Sequence, residues 1–353
     1  MMKISIIIPV YNAARTIRRA IASIDTKHDF EVICINDGST DDTQDVLTTL
    51  QKEYKHIQVF EQENKGAAAS RNVGLNYVTG DVFMFLDADD IFLPDRIDLM
   101  ANYYQKDSNV DIVIGQIGRG VDGEWQPVPT HEVMRKDMKV SLAQSPEIMQ
   151  SIGPGAKLFN ADFKSLSFDE DIVFCEEHSF IIQAYRKAKD IQVLSEIVYG
   201  YNEVEGSVTQ RRATEFLAYM SDAKEARARV MPMLPLSNQR IYYSYRMDEL
   251  IVSYLIQAYL TQNSALTQSL LDVVANYLDN MQQADYSGEA LFRIVKVIEQ
   301  GSTKWNKDLY EQWRETLLRC GIGRPNYLRF KIEVLPKRTT FRGKQKLKQY
   351  LNR

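Results

Sequence analysis

A continuous apolar run that ends in three carboxylates constrains the fold of this chain more than any other stretch. Val82 to Leu86 is apolar at every position, and Asp87-Ala88-Asp89-Asp90 follows it directly. An unbroken apolar run of this length is typical of a strand covered on both faces, as in a parallel sheet. Ligands of open α/β sheets bind beyond the carboxyl ends of such strands. The stretch therefore predicts a buried strand that delivers acids to a binding site.

The acids themselves indicate a divalent cation. In extended backbone Asp87 and Asp89 would point to one side of the strand and Ala88 to the other. Carboxylates held this close repel one another unless a cation lies among them, and Mg²⁺ and Mn²⁺ prefer oxygen ligands. The alternative is a group of acids that favours the N-terminus of a helix beginning at Pro94. A D-x-D pattern is too short to decide between the two on its own.

Strand and helix patterns alternate through the first part of the chain. Further strands are predicted at Ile4–Ile8, Glu31–Asn36, His56–Phe60, Val110–Ile114, Ile191–Leu194 and Ile197–Tyr201. Pro9 is expected to stop the pairing of the first strand, Asp122-Gly123 to form a hairpin turn, and Glu176–Lys189 to form a helix. This alternation predicts an α/β fold with a doubly wound, mostly parallel sheet.

Strand patterns cease after residue 212, and long helical segments follow. They are predicted at residues 213–231, 237–261, 265–281, 288–299 and 304–320. We therefore expect an α/β domain over residues 1–212 and an all-helical domain over residues 213–353.

Composition limits the class of partner and the compartment. The net charge of the 353-residue chain is −4, which gives no reason to expect nucleic acid as the main partner. Cys34, Cys175 and Cys320 are too far apart for a metal-binding pair and indicate a reducing compartment. No stretch is long enough to span a membrane, so a cytoplasmic protein is expected. From Arg324 the chain carries ten Lys and Arg residues against Glu333 alone, which suits docking on the inner, anionic membrane leaflet or a solvated surface.

Four motifs at predicted strand ends occur in a recognisable order. They are Pro9-Val10-Tyr11-Asn12, Asp37-Gly38-Ser39, the stretch from Asn64 to Asn72, and Asp87-Ala88-Asp89-Asp90. Together they resemble the family 2 inverting glycosyltransferases of the GT-A fold, of the bacterial surface-glycan or adhesin-glycosylating type, over about residues 3 to 210. The resemblance implies a sheet that binds a nucleotide-sugar.

The resemblance also implies roles for individual residues. Pro9, Val10 and Tyr11 are expected to lie around the base of the nucleotide-sugar, and Asp37 to accept from the imide N–H of the base. Asn64, Gly66 and Arg71 are expected in a loop near the donor. Asp87 is expected to contact the donor, and Asp89 to be the ligand of Mn²⁺ or Mg²⁺. Tyr11 can supply an aromatic wall and Asp37 an acceptor. Free N–H groups at the start of the following helix suit phosphate. Taken alone, a tyrosine such as Tyr11 is more often a half-buried packing residue, and an aspartate such as Asp37 more often stabilises a turn, here with Gly38.

A second acidic site precedes the helix predicted from Glu176. Helical spacing places Glu177 in the apolar stripe of Phe180, Ile181 and Ala184, where a carboxylate costs free energy unless it faces a cavity or a partner. The alternative is that both acids simply favour the helix N-terminus. The segment resembles the acidic pair of the family, whose second acid is the general base. The family usually has Asp at that position and this chain has Glu177, so Glu176 is kept as the second candidate.

The leading prediction is an inverting, metal-dependent glycosyltransferase. It would move a sugar from a nucleotide-sugar, expected to be a UDP-sugar, to a hydroxyl of a glycan, a wall or capsule polymer, or a glycoprotein. The helical domain would bind the acceptor or mediate self-association. The alternatives are a nucleotidyltransferase, which would need an early basic loop that Pro9-Val10-Tyr11-Asn12 is not, and a non-catalytic nucleotide-sugar-binding module.

Smaller predictions concern residues around this site. Lys157 is expected either to contact phosphate or acceptor or to be a surface lysine, and His178 to lie on a helix surface. A C-terminal loop over the donor is expected to carry Tyr199, Tyr201, Ser207 and Thr209.

Overall fold

The computed structural model describes residues 2–121, 124–128, 135–202, 211–263, 267–281, 288–302 and 307–320. The turn predicted at Asp122-Gly123, the loop residues Ser207 and Thr209, and the basic segment from Arg324 lie outside the described residues. The chain divides into two compact units, Met1–Val204 and Glu205–Arg353.

A ten-stranded sheet forms the centre of the first unit. Its strands are β1 (Lys3–Val10), β2 (Asp29–Asp37), β3 (Ile57–Gln62), β4 (Val82–Phe85), β5 (Ile91–Phe92), β6 (Val110–Val121), β7 (Glu124–Pro127), β8 (Met138–Val140), β9 (Lys157–Asn160) and β10 (Asp190–Tyr201). The order is β3-β2-β1-β4-β9-β6-β10-β5, with β7 beside β6 and β8 beside β10. Strands β1 to β4 are mutually parallel, and so are β6 and β10, whereas β9 runs antiparallel between β4 and β6. The predicted α/β fold with a mostly parallel sheet is confirmed.

This unit contains five described α-helices, of which the first three directly follow the parallel strands β1, β2 and β3. They are α1 (Ile17–Ala22), α2 (Thr43–Glu53), α3 (Gly66–Leu75), α4 (Arg96–Lys106) and α5 (His178–Lys187). The side chains of Ile6, Ile7 and Ile8 in β1 are all fully buried although they alternate between the two faces. Both faces of the strand are therefore covered, as its unbroken apolar run predicts.

Pro9 does not end the first strand, contrary to the sequence-based expectation. Strand β1 continues to Val10, and Pro9 pairs in register with Ile35 of β2. The carbonyl of Ile7 accepts from Leu86, so the backbone of Ile7, and of Pro9 two residues later, points toward the β4 side. Strand β4 has ended at Phe85, so no ladder bond is lost where proline lacks its N–H.

Several further elements differ from their prediction. Strands β5, β8 and β9 were not expected, and β9 is short and begins with a lysine two residues after a Gly-Pro-Gly stretch. Strand β10 is one element with shifts of register rather than two strands. Helix α5 begins at His178 rather than Glu176, because its first hydrogen bond runs from the N–H of Ile181 to the carbonyl of Glu177, and Cys175 before this pair has a left-handed backbone (φ 67°).

The second unit is helical in every element that the structure describes. These are α6 (Phe216–Val230), α7 (Asn238–Ser244), a π-helical segment (Tyr245–Val252), α8 (Ser253–Gln262), α9 (Gln268–Met281), α10 (Gly288–Gly301) and α11 (Lys307–Arg319). The buried Arg227 and Asp248 form an ion pair, with Nε 2.8 Å from Oδ1, and Ser244 and Tyr277 also donate to Asp248. No helix within the described ranges has the length and hydropathy that crossing a bilayer requires.

Candidate functional site

The loops that follow β1 and β2 are tied together at the carboxyl edge of the sheet. The N–H of Asn12 donates to Ser39 Oγ (3.0 Å), and the N–H of Thr40 donates to Asn12 Oδ1 (2.8 Å). Asn12 has a left-handed backbone (φ 50°), which Asn tolerates better than most residues. Just before it, Val10 is buried and Pro9 is half-buried. Tyr11 is 50% exposed, so the loop presents an aromatic ring at this edge.

Asp37 joins the end of β2 to the start of α3. Its Oδ1 accepts from Gln62 Nε2 (2.7 Å) and from the N–H of Lys65 (2.9 Å), and its Oδ2 accepts from the N–H of Gly66 (2.8 Å). Gly66 has a φ of 88°, and Asn64 is exposed beside it. A carboxylate has about four acceptor positions, so about one remains beyond these three protein donors. Asp37 therefore fixes the beginning of α3 whether or not it also contacts a base.

Arg71 of α3 links acids from two distant segments. Its buried guanidinium donates from Nη2 to Asp87 Oδ1 (2.9 Å) and from Nη1 to Glu176 Oε1 (3.0 Å), and it lies 5.4 Å from the ring centroid of Phe168. Burial opposes the charge on the guanidinium, but Asp87 and Glu176 outweigh this effect and raise the pKa of Arg71. The acids after β4 and the acids before α5 therefore lie close together around one buried cation.

The residues Asp87–Asp90 form what we call the acid turn. Strand β4 ends before them, and the N–H of Asp90 donates to the carbonyl of Asp87 (3.1 Å). The expectation that extended backbone carries Asp87 and Asp89 to one side of the strand is therefore wrong, because the strand has ended and the backbone turns at that point. Burial and the charge of Asp87 raise the pKa of Asp89 to about 6. Burial, Asp87 and Asp89 raise the pKa of Asp90 to about 8.

The donor set of the acid turn fits a hard divalent cation that is shared with a substrate. The raised pKa values of Asp89 and Asp90 reflect mutual repulsion as well as burial, which a cation would relieve. In the described part of the chain, no group of three or more His, Cys, Asp and Glu side chains could hold a metal ion by itself. Mg²⁺ is commonly held by one or two carboxylates plus substrate phosphates. The acid turn fits that arrangement rather than an all-protein cage.

Tyr199 and Asn202 hold the acid turn, and the sequence did not predict this role. The hydroxyl of Tyr199 accepts from the N–H of Asp87 (3.0 Å). Asn202 donates from its N–H to Asp90 Oδ1 (2.8 Å) and from Nδ2 to the carbonyl of Asp89 (2.9 Å). Tyr199 was expected on a loop over the donor but is buried in β10. The only signal in the sequence for the burial of Tyr199 was the apolar pattern that begins again around it.

Glu177 directly precedes α5 and is half-buried. Burial, followed by the charge of Glu176 and a hydrogen bond with it, raises the pKa of Glu177 well above its ordinary value of 4.5. The charge of Arg71 opposes this rise. His178 is buried, so its expected place on a helix surface is wrong. The pair therefore consists of Glu176, bound to Arg71, and Glu177, a carboxyl that readily holds a proton.

Lys157 is a fully buried cation near this pair. Its Nζ donates to Ser151 Oγ (2.8 Å) and to the carbonyls of Gly153 and Gly155. Burial lowers the pKa of Lys157 to about 7, and the charge of Glu177 opposes this fall. The prediction of a surface lysine is wrong, and the three N–H donors of the ammonium already have protein acceptors. Ala156, directly before it, has a left-handed backbone (φ 57°).

The chain is similar to known glycosyltransferases along nearly its whole length. The family described as "Glycosyl transferase family 2" matches residues 5–169. "Putative glycosyltransferase TagX" from Staphylococcus aureus (strain MRSA252) is 32% identical over 354 residues, covering 99% of this chain and 100% of the relative. "Poly(ribitol-phosphate) beta-glucosyltransferase" from Bacillus spizizenii is 32% identical over 209 residues, covering 57% of this chain and 32% of the relative.

Solved structures share the fold at lower identity. S. aureus TarS 1-349 in complex with UDP-GlcNAc has a TM-score of 0.59 and 17% identity, covering 89% of each chain. The mannosyltransferase PcManGT from Pyrobaculum calidifontis, in complex with GDP-Man and Mn²⁺, has a TM-score of 0.54 and 14% identity, covering 90% of this chain and 86% of that one. The predicted GT-A fold is confirmed. Because the family match covers all four strand-end motifs and TagX aligns over its full length, this chain belongs to glycosyltransferase family 2 and is a glycosyltransferase.

Proposed function

We propose that this enzyme transfers a sugar from a UDP-sugar to an acceptor hydroxyl with inversion, and that Glu177 is the general base. The observation that carries the proposal is the double contact of Arg71 with Asp87 and Glu176. One buried cation joins the acids after β4, which suit the donor, to the acids before α5, which suit the acceptor. The two halves of a transfer reaction would then share one cleft.

The donor end is proposed to lie at the loops after β1, β2 and β3. Tyr11 offers an exposed ring, and Asp37 has about one acceptor position left for the imide N–H of uracil. Asp37 takes the N–H groups of Lys65 and Gly66, so the N–H groups that follow Gly66 in the first turn of α3, beside Asn64, are the ones that suit phosphate. Two TarS structures that share the fold were determined with UDP and with UDP-GlcNAc, which favours uracil over other bases.

Asp89, beside Asp87, is proposed to hold Mn²⁺ or Mg²⁺. When bound, such a cation neutralises charge on a departing diphosphate. The similar fold of PcManGT, determined with Mn²⁺, supports this proposal. Arg71 adds a fixed positive charge near the donor and keeps Asp87 and Glu176 in their orientation.

The transfer step is a single displacement. The acceptor oxygen bonds to the anomeric carbon as the bond from that carbon to the nucleotide oxygen breaks, so the configuration inverts. Glu177 takes the proton of the acceptor hydroxyl. A carboxylate with a raised pKa is a better base near neutral pH than an ordinary glutamate, because general-base efficiency rises with the pKa of the base.

The acceptor is proposed to be a bacterial surface polymer or another glycan or glycoprotein. The name of the Bacillus relative, which specifies poly(ribitol-phosphate), favours a hydroxyl of a polyol-phosphate polymer. The helical unit is proposed to bind this acceptor or to mediate self-association. We also propose that the enzyme works in the cytoplasm, with the basic segment from Arg324 contacting the inner face of the membrane.

Release of UDP from a panel of UDP-sugars with Mn²⁺ tests the function directly. Glu177→Gln should keep UDP binding, measured by calorimetry, and lose transfer by about 10²- to 10⁴-fold, the usual contribution of a general base. Asp89→Asn should lose affinity for UDP with Mn²⁺. The exposed Glu53→Gln serves as the matched control.

Each failure has its own meaning. Normal transfer by Glu177→Gln would remove Glu177 as the base. Release of pyrophosphate instead of UDP would identify a nucleotidyltransferase. Binding of UDP-sugar without release in the presence of any acceptor would identify a non-catalytic module.

A further inference from the structure

We propose that Tyr199 is a positioning residue that sets the geometry of the acid turn for the metal–diphosphate group. This proposal rests on the proposed function, because it concerns how the turn that would meet the diphosphate is held. Tyr199 itself touches neither donor nor metal in this scheme. It acts through the backbone of Asp87.

The hydroxyl of Tyr199 lies at the start of the acid turn. It accepts from the N–H of Asp87 at 3.0 Å, and the charges of Asp87 and Asp90 act on it. Asp89, the proposed metal ligand, lies between these two residues in the chain. The bond to Asp87 therefore fixes the point at which the backbone leaves β4 and enters the turn.

Other contacts complete the support of the turn. Asn202, three residues later in the chain, donates to the carbonyl of Asp89 and to the carboxyl of Asp90. Arg19 of α1 also donates to the carbonyl of Asp89 (2.9 Å). The backbone of Asp89 is therefore fixed from two sides, while its carboxylate is left for a ligand.

The ring of Tyr199 is held independently of its hydroxyl. A methyl group added at Gly155 would lie 3.2 Å from Cζ of Tyr199 and 3.3 Å from Cε2, so only glycine fits without displacing the ring. Phe92 meets the ring edge-on, with the centroids 5.7 Å apart. Lys157 in turn fixes the Gly155 carbonyl. The position of the hydroxyl thus depends on the loop that Lys157 holds.

The contact between the hydroxyl of Tyr199 and Asp87 can be disturbed by two different substitutions. Tyr199→Phe removes the hydroxyl and leaves the ring in place. Gly155→Ala keeps the hydroxyl and presses on the ring. If Tyr199 positions the acid turn, both changes weaken the same binding event, and their effects are not independent because they act through one atom.

The test is a titration of the full-length protein with Mn²⁺ in the presence of UDP, followed by calorimetry and by the electron paramagnetic resonance of Mn²⁺. Tyr199→Phe and Gly155→Ala are each expected to raise the apparent Kd for Mn²⁺ by about tenfold, the lower end of the range for residues that orient metal ligands. The double variant should lose less than the product of the two single losses. The resonance spectrum of bound Mn²⁺ should change in both single variants.

Two matched controls separate positioning from general packing. Tyr185→Phe removes another buried hydroxyl, which donates to the carbonyl of Ser151 (2.6 Å). Gly153→Ala adds a methyl group in the same loop, where no atom lies within 4 Å. Both controls should keep the Kd for Mn²⁺ within about twofold of the wild type. A melting temperature for each variant identifies any global loss of folding.

Failure of this proposal differs from failure of the proposed function. If the wild type binds Mn²⁺ with UDP and Tyr199→Phe and Gly155→Ala bind equally well, Tyr199 does not position the turn. If the controls lose as much affinity as the two test variants, the effect is one of packing alone and the proposal is overturned. If the wild type does not bind Mn²⁺ with UDP at all, the proposed function fails as well.

Discussion

Glu177 is surrounded by charges that act on it in opposite directions. Burial, the charge of Glu176 and its hydrogen bond raise the pKa of Glu177, and Arg71 lowers it. A general base must be deprotonated, so transfer should fall as the pH drops through this raised pKa. The acid limb of the kcat profile should therefore lie above pH 4.5, the ordinary value for glutamate.

Glu176→Gln tests which charges set that limb. The substitution removes the repulsion between the carboxylates of Glu176 and Glu177. It also removes the negative charge that partly cancels the effect of Arg71 on Glu177. Both changes lower the pKa of Glu177. The acid limb of kcat should move to lower pH, although activity at its plateau falls because Arg71 loses a partner. The profile is measured between pH 4.5 and 8, with Glu147→Gln as control. An unmoved limb would show that burial alone sets the pKa.

The sequence predicted the types of the site residues better than the contacts between them. The acids at positions 87, 89, 176 and 177 and the cation Arg71 could all be found from their motifs. The bond between Arg71 and Glu176 could not, because 105 positions separate them in the sequence. Lys157 was misjudged for a similar reason, since its acceptors are carbonyls of a loop whose path no local pattern fixes.

The start of α3 depends on one side chain from another element. Asp37 accepts from the N–H groups of Lys65 and Gly66, which a helix leaves without intrahelical partners. Asp37→Asn replaces a charged acceptor by a neutral one and should lower the free energy of unfolding by about 1–2 kcal/mol even without nucleotide. Urea denaturation measures this loss. The exposed Asp42→Asn should stay within about 0.5 kcal/mol of the wild type.

If Asp37→Asn were as stable as the wild type but failed to bind UDP, its role would be confined to the nucleotide. A loss of stability together with a loss of binding would show that one carboxylate does both. The structure of the loop favours the second outcome, because about one acceptor position of Asp37 is left after its protein donors are counted.

Continuous apolar runs predicted the parallel strands well, because both faces of such strands are covered. Strand β9 was not predicted because it is four residues long and its first residue, Lys157, is a buried charge. Helix α5 was predicted to begin two residues early, since acids and apolar spacing extend before it, whereas its hydrogen bonds begin at the carbonyl of Glu177. Local periodicity cannot report a backbone conformation that tertiary contacts impose.

Each of the two units has its own core, and the helical unit contains a buried ion pair. Asp248→Asn would leave Arg227 without its ion pair in a buried site, which typically costs about 3–5 kcal/mol. We expect this variant to lower the unfolding transition of the helical unit and to keep the binding of UDP with Mn²⁺. Differential scanning calorimetry with and without these ligands separates the transitions, because ligands raise only the transition of the unit that binds them.

Asp279→Asn provides the matched control for that experiment. Asp279 pairs with Arg319 at 3.4 Å on the surface of the same unit, where an ion pair contributes about 0–1 kcal/mol. A single transition that both Asp248→Asn and UDP move together would contradict separate stability of the two units.

The left-handed residues Asn12, Ala156 and Cys175 have an evolutionary consequence. Each is next in the chain to a residue of the proposed site or of its surroundings, respectively Tyr11, Lys157 and Glu176. Left-handed backbone costs a residue with a side chain about 1–2 kcal/mol, so glycine at Ala156 or Cys175 would relieve strain. Glycine would also free the backbone beside a reacting or supporting group. Selection for heat resistance alone would favour those replacements, whereas selection for turnover would act against them. Stability and activity therefore impose opposite requirements at Ala156 and Cys175.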